Sequence, residues 1–252
     1  MNLFQKAKNI SDIDSLIHIG GHKGEEIEEY KSLNLKNVIY VEPIKKFAKE
    51  IENKIKNLEN FSVLAIGLGS EDKEDEINIA EDNHSGSSSI FSPRPSSIEF
   101  VNKEKIIVKK FSSLDLPKLD LAIIDTQGYE LEVLKGFEEK INDFKFLIVE
   151  FSNYEGYIGQ VTYSQLNKFL NSSNFFMISQ IKNVKKVLKN NNGGSYGDAL
   201  YVNSKYLSFG RIAVSRLHFL VVNNIISDLF VKFSKLSTYK MLFKKSIKKI
   251  IS

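Results

Sequence analysis

Apolar and polar positions run along the chain in short blocks. Leu16, Ile17 and Ile19 form a compact apolar run that stops at Gly20 and Gly21, the pattern of a strand covered on both faces that ends in a sharp turn. Residues 37–42, 61–66, 119–125, 145–150, 175–181 and 198–203 repeat the strand pattern. Between them, helical spacing predicts helices over 25–33, over 45–58 through Phe47, Ile51 and Ile55, through Leu131, Leu134 and Phe137, and over 162–170. Residues 1–14 read as a short leading helix or arm. Strands alternating with helices predict an α/β fold, a doubly wound and mostly parallel sheet.

Residues 71–111 break the alternation. An acidic turn is expected at 71–76 and candidate strands at 76–80 and 106–111. Between these strands runs a Ser/Gly/Pro loop, 81–97, that carries His84 and Arg94. Loops of that length in a compact domain are usually functional or disordered. Residues 190–197 read as a turn.

Composition narrows the chemistry. The 252 residues suffice for one large α/β domain with an appendage, and 42% hydrophobic residues can fill a core. The chain has no cysteine, which removes disulfides, thiolate metal sites and a cysteine nucleophile. Four histidines, His18, His22, His84 and His218, do not make a zinc-binding pattern, and no metal is expected. The first 14 residues lack the apolar core of a secretory signal, and no apolar run approaches the roughly 18 residues of a membrane span. The expected location is the cytoplasm. Charge divides the chain in two. Residues 209–252 hold nine Lys or Arg against Asp228 alone, a net +8, which leaves the remainder at −4. The organisation read from this is a domain over 1–208 and a basic helical C-terminal extension over 209–252.

Three predicted strand ends carry polar groups: Gly20 to Gly24, Glu42, and Asp125 to Glu130. In a parallel sheet such ends share one edge, where open α/β sheets bind ligands. The glycines do not have the dinucleotide spacing. Glu42 follows the turn by roughly 20 residues, where an acid commonly accepts hydrogen bonds from a ribose diol. Glycine turn and acid together point to a nucleoside cofactor without saying which.

These residues carry a family resemblance. Ile17-His18-Ile19-Gly20-Gly21-His22-Lys23-Gly24 is similar to the first motif of the FkbM-type S-adenosylmethionine-dependent methyltransferases. Glu42-Pro43 matches the end of their second strand. Asp125-Thr126-Gln127-Gly128-Tyr129-Glu130-Leu131-Glu132-Val133-Leu134-Lys135-Gly136 resembles their most specific motif, Asp-x-x-Gly-x-Glu-x-x-x-Leu-x-Gly. Ser87-Ser88-Ser89 and Glu150 match further family features. The resemblance spans about residues 15–203.

It implies a class I methyltransferase (Rossmann-like) fold with seven strands, the last antiparallel, and S-adenosyl-L-methionine as cofactor. By resemblance Gly20, Gly21 and Gly24 would line the methionine end, and Glu42, before Pro43, would hold the ribose. Ile66 and Gly67 would lie near the adenine, and Asp125 would face the reaction zone. His18 and His22 stand where the family usually has Asp and Asn, so a fixed negative charge is lost at the methionine end. The family habit is O-methylation of a hydroxyl on a sugar or surface-glycan precursor. A hydroxyl needs help to lose its proton, and His22, His84, Asp125 and Glu150 are the candidate bases. His18 also reads as a core histidine, and Glu130 and Glu132 as residues that organise the helix after them. A nucleotide-binding oxidoreductase and a non-catalytic scaffold are the rival readings.

In the extension, Phe219, Val222, Ile226, Leu229, Phe230, Phe233 and Leu236 fall near helical spacing among lysines. Such a helix packs on the body or on a second copy, or lies on an anionic membrane surface. Nucleic acid is not expected as a partner.

Overall fold

The computed structural model describes residues 2–92, 99–185, 194–208, 210–212 and 215. Chain contacts separate Met1–Tyr206 from the residues after it. The amphipathic helix expected within 209–252 lies almost wholly outside the described residues. Among the described residues no helix is long and apolar enough to cross a membrane.

After α1 (Leu3–Lys8), the elements are β1 (Ser15–Ile19), α2 (Ile27–Ser32), β2 (Asn37–Val41), α3 (Lys45–Ile55), β3 (Phe61–Leu64) and β4 (Gly67–Leu68). They continue with β5 (Lys73–Ala80), β6 (Phe100–Lys109), β7 (Leu121–Ile124), α4 (Glu130–Gly136), β8 (Phe146–Ser152), α5 (Tyr163–Ser172), β9 (Phe175–Lys185) and β10 (Gly194–Asn203). Seven strands form one sheet in the order β3-β2-β1-β7-β8-β10-β9. β1, β2, β3, β7 and β8 pair in parallel, and β10 runs antiparallel between β8 and β9. The chain builds outward from β1 to β3, then returns to place β7 on the other side of β1. The crevice at that reversal is where such sheets bind ligands.

All five residues of β1 are buried. Ile17 and Ile19 join Ile124, Leu147, Val149 and Tyr201 in the main core, under Val133, Leu134 and Phe137. Phe111 stacks on Phe137 at 4.4 Å, and Phe144 packs edge-on against Phe137 at 5.1 Å. α3 buries Phe47, Ala48, Ile51 and Ile55, the face its spacing predicts.

Four details differ from the sequence reading. The helix expected from residue 25 starts at Ile27, because Glu25 is engaged by the turn before it: its carboxylate accepts from the Lys23 N–H and contacts the His22 ring. β3 ends at Leu64, since Gly67 and Leu68 leave the main sheet. They pair with β6 in a separate three-stranded sheet, β4-β6-β5, which replaces the expected turn at 71–76 with strand from Lys73 onward. That stretch is acidic yet extended because the face bearing Glu74 and Glu76 is solvated, where Lys103 pairs with Glu76, while the other face holds the half-buried Lys73–Asp75 pair beside Ile77, Ile106 and Val108, which pack inward. Finally, Gly194 to Gly197, read as part of a turn, begin β10 and pair with β9.

The motif that begins at Asp125 ends at Gly136 for a packing reason. A Cβ built there would stand 1.9 Å from the carbonyl oxygen of Gly69, so α4 lies against the backbone entering the second sheet. Gly136→Ala is expected to lower stability by about 1–3 kcal/mol, the usual range for overpacking, because a carbonyl cannot rotate aside as a side chain can. Urea unfolding of the full chain measures this; a loss under about 0.5 kcal/mol would contradict the close approach.

Candidate functional site

The glycine turn grows directly out of β1. The N–H groups of Gly20 and Gly21 donate to the Val41 carbonyl at 2.9 and 3.2 Å, and the Asp125 N–H donates to the Ile19 carbonyl at 3.0 Å. The ends of β1, β2 and β7 are thereby tied together. Gly20 has φ +86°, and a Cβ there would fall 1.7 Å from the Asp125 carbonyl oxygen. Only glycine fits that contact.

Glu42 leaves the end of β2 with its side chain buried. One carboxylate oxygen accepts from the His22 N–H and the other from the Ile44 N–H, each at 2.8 Å. Burial lifts its pKa to about 8, against the opposing pull of those two N–H groups. His22 takes up the left-handed backbone, φ +43°, that brings its N–H to Glu42. Its ring joins Glu25 through Nδ1 at 2.8 Å and the Ser85 hydroxyl through Nε2 at 2.9 Å, and it packs edge-on against Phe47. His18 behaves differently. It is buried, hydrogen-bonded through Nδ1 to the Tyr30 hydroxyl at 3.1 Å and stacked with Tyr40. Burial lowers its pKa to about 4, so at neutral pH it is an uncharged core residue.

The loop between β7 and α4 is held from below by Glu130. This buried carboxylate accepts from the N–H of Thr126 at 3.1 Å and of Gly128 at 2.9 Å. Burial raises its pKa to about 7. So braced, the loop carries Asp125, Thr126 and Gln127 to the cleft. Glu132 turns away and accepts from Ser70 and Lys135. Glu150, near the end of β8, titrates well above the ordinary carboxylate range. Partial burial raises it first, and the neighbouring carboxyls of Asp125, then Glu130 and Asp198, add to the effect. Asp198 is the residue directly opposite Glu150 on β10, and burial beside Asp125 raises its pKa to about 6.

The insertion between β5 and β6 supplies a third wall. It opens with a 3-10 turn, Asp82–Ser87. Ser88 caps Ala80 and donates to the Ser85 carbonyl, while the buried Ser89 hydroxyl donates to the Gln127 carbonyl at 2.7 Å. Asn78 fixes the same segment through the carbonyls of Ser89, Ile90 and Phe91. The serine triplet thus anchors the insertion over the β7 loop.

Together these parts line a cleft that opens to solvent, with about 560 Å³ of empty space when that open solvent is counted. Gly20, His22, Glu42, Pro43, Gly67 and Asp125 line it, so six of the residues named from the sequence meet there. Ile44, Phe47, Leu68, Ile77 and Ile90 give it apolar walls. Gly21, Gly24, Ile66 and Glu150 lie outside the lining. Gly21 packs on Tyr40 and Ile51, and Ile66 packs against the core. His84 is exposed, also outside the lining, and its N–H donates to the Glu81 carbonyl. Sequence reasoning gave no role to Ser85, Gln127 or Tyr157. Gln127 sat in plain view inside the strongest motif; Tyr157 had no local signal. Among the described residues no group of His, Asp or Glu could hold a metal ion.

An apolar slot with a buried carboxylate at one wall, hydrogen-bonding backbone at one end and acids at the other suits a nucleoside cofactor beside a polar substrate. The family described as Methyltransferase FkbM domain matches residues 18–177. A search of curated proteins found no match. Among solved structures the chain is similar to the methyltransferase FkbM from Methylobacillus flagellatus KT, at 14% identity and TM-score 0.45, over 75% of this chain and 43% of that one. It therefore spans less than half of that protein. It is similar to the magnesium protoporphyrin IX methyltransferase of Synechocystis PCC 6803, at 12% identity and TM-score 0.47, over 80% of this chain and 74% of the other. A third is a protein of the NADB-Rossmann superfamily from Streptococcus agalactiae, at 12% identity and TM-score 0.46, over 100% and 93%.

Glu42 has a consequence for stability. Its folded pKa, about 8, lies above the ordinary carboxylate value of 4.5, so the folded state holds its proton more tightly than the unfolded chain. The stabilisation is complete below the ordinary value and is lost as pH rises through about 8. Glu42→Gln is expected to remove roughly 2–4 kcal/mol of the decline between about pH 5 and 8. Chemical unfolding at both pH values tests this; parallel profiles for variant and wild type would refute it.

Proposed function

The chain belongs to the FkbM methyltransferase family, and on that premise we propose that it moves a methyl group from S-adenosylmethionine to a hydroxyl of a sugar or surface-glycan precursor. The observation that carries this reading is the convergence of Gly20, Glu42 and Asp125, from three separate strand ends, on one cleft.

The residues present fit the cofactor. Each Glu42 oxygen uses one of its lone pairs on a backbone N–H, which leaves acceptor capacity on both for a pair of ribose hydroxyls. Pro43, Gly67 and Leu68, beside Ile44 and Phe47, offer an apolar slot to the adenine. Gly20, with Gly21 and Gly24 behind it, shapes the methionine end. His18 contributes packing, and Asp125, whose carbonyl packs against Gly20, brings a carboxyl to the same end of the cleft. When bound, S-adenosylmethionine supplies a methyl group already activated on a sulfonium, so that forming the O–C bond and breaking C–S leaves a neutral thioether and one proton to remove. The chain's task is then alignment and proton acceptance.

Of the four candidate bases, Asp125 is the carboxylate on the cleft wall. His22 has both ring nitrogens engaged by Glu25 and Ser85, Glu150 lies outside the cleft lining, and His84 faces solvent. The carboxyls of Asp125, Glu150 and Asp198 favour a neutral acceptor, rich in hydroxyls, over one with a phosphate at the reacting end. We assign the reaction to the cytoplasm. The +8 extension supports peripheral contact with an anionic membrane, which flotation with anionic vesicles tests; nucleic acid is no part of the proposal.

Calorimetry with S-adenosylmethionine, S-adenosylhomocysteine and NAD is expected to show binding of the first two only. Glu42→Ala should weaken that binding about 10- to 100-fold, the weight of two hydrogen bonds to one buried carboxyl group, with the fold retained. Unchanged affinity would remove Glu42 from the ribose site. Incubation with S-adenosylmethionine and sugar or glycan pools should give products heavier by one CH2 group. Cofactor binding with no such product across a broad panel would favour a scaffold that kept the fold.

A further inference from the structure

Gln127 holds a left-handed backbone, φ +52°, directly after Asp125 and Thr126. Its side-chain amide lies between two acids. Nε2 donates to Asp125 Oδ1 at 2.7 Å and to Glu150 Oε2 at 3.1 Å. Oε1 accepts from the Tyr157 hydroxyl at 3.1 Å, and that hydroxyl also lies 2.9 Å from the Ser87 carbonyl oxygen. The main-chain carbonyl is fixed by Ser89. Backbone and side chain are therefore both held, and the two amide hydrogens are each given to a different carboxyl group.

Two carboxyls brought together in one half-buried site do not both ionise readily, because like charges repel where water is scarce. One proton shared between them removes the conflict. An amide aimed at both then selects where the charge sits. One N–H favours the ionised form of Asp125, and the other satisfies the carbonyl oxygen of a protonated Glu150. Asp125 is the member on the cleft wall, and Glu150 is not.

We propose that Gln127 is a positioning residue that joins Asp125 and Glu150 into a unit holding one proton, with Asp125 as the ionised member presented to the acceptor. This rests on the methyltransferase reading and deepens it. The acceptor hydroxyl's proton passes to Asp125 as its oxygen is alkylated, and leaves to water when the product departs. Glu150 keeps its own proton throughout. The groups that face the pair are Glu130 of α4, Asp198 of β10, Tyr154 and Tyr157 after β8, His18 of β1 and Glu26 before α2.

The test is a carboxyl-carbon NMR titration of the full chain, read at Asp125 and Glu150, in wild type, Gln127→Met and Tyr157→Phe. In wild type Asp125 is expected to be ionised, and Glu150 protonated, at neutral pH. Gln127→Met removes both donors at similar volume and should move the Asp125 midpoint up by about one pH unit or more. Tyr157→Phe, which frees the amide to rotate, should move it the same way by less. On an acceptor found by the product screen, Gln127→Met should lower kcat about 100-fold, with cofactor affinity within about twofold. An unmoved Asp125 midpoint in a folded Gln127→Met protein overturns the proposal, as does an ionised Glu150 at neutral pH in wild type. If Gln127→Met does not fold, an unmoved midpoint in Tyr157→Phe overturns it instead. Absence of cofactor binding by wild type would defeat the methyltransferase reading alone, since the titration needs no cofactor.

Discussion

The carboxyl ends of β1 and β7 approach more closely than a side chain permits. Gly20 lies against the Asp125 carbonyl, and a methyl group in its place would overlap that oxygen. This contact sits where the strand order reverses. It forces the chain after β1 to turn sharply and forces the β7 loop to rise beside it. The cleft is what remains between the two. His22, Glu42 and Gln127 reach it because the backbones that carry them are fixed within an ångström or so by that packing.

The polar groups of the site are held by backbone more than by each other's charge. Glu42 bridges the glycine turn and the start of α3. Glu130 bridges Thr126 and Gly128. Each spends a buried carboxylate on two N–H groups that the turn leaves without partners. The arrangement costs stability at neutral pH, where burial opposes ionisation, and it gives loops that do not need a ligand to take shape. The insertion between β5 and β6 closes the site by the same means, through Ser85, Ser88 and Ser89.

Each residue of the strongest motif has its own task. Asp125 ends a strand on the cleft. Gln127 ties two acids. Glu130 props the loop. Leu134 enters the core, and Gly136 lets α4 meet Gly69. Only the first of these tasks touches the proposed reaction directly. A family signature of this kind records the scaffolding of a site at least as much as its chemistry.

The order of strands and helices, the glycine turn and the three polar strand ends were legible in the sequence, because burial on both faces writes apolar runs and a tight turn writes glycine. His18 as a core residue was legible for the same local reason, whereas Glu130, read as organising the helix after it, braces the loop before it. The second sheet was not, since an acidic hairpin with one solvated face resembles a turn when read residue by residue. Nor could the sequence say that Gln127 would lie between Asp125 and Glu150, or that Tyr157 and Ser87 would meet above it. Those contacts join residues more than 20 positions apart, and their geometry is set by strand order and packing, which no local pattern encodes.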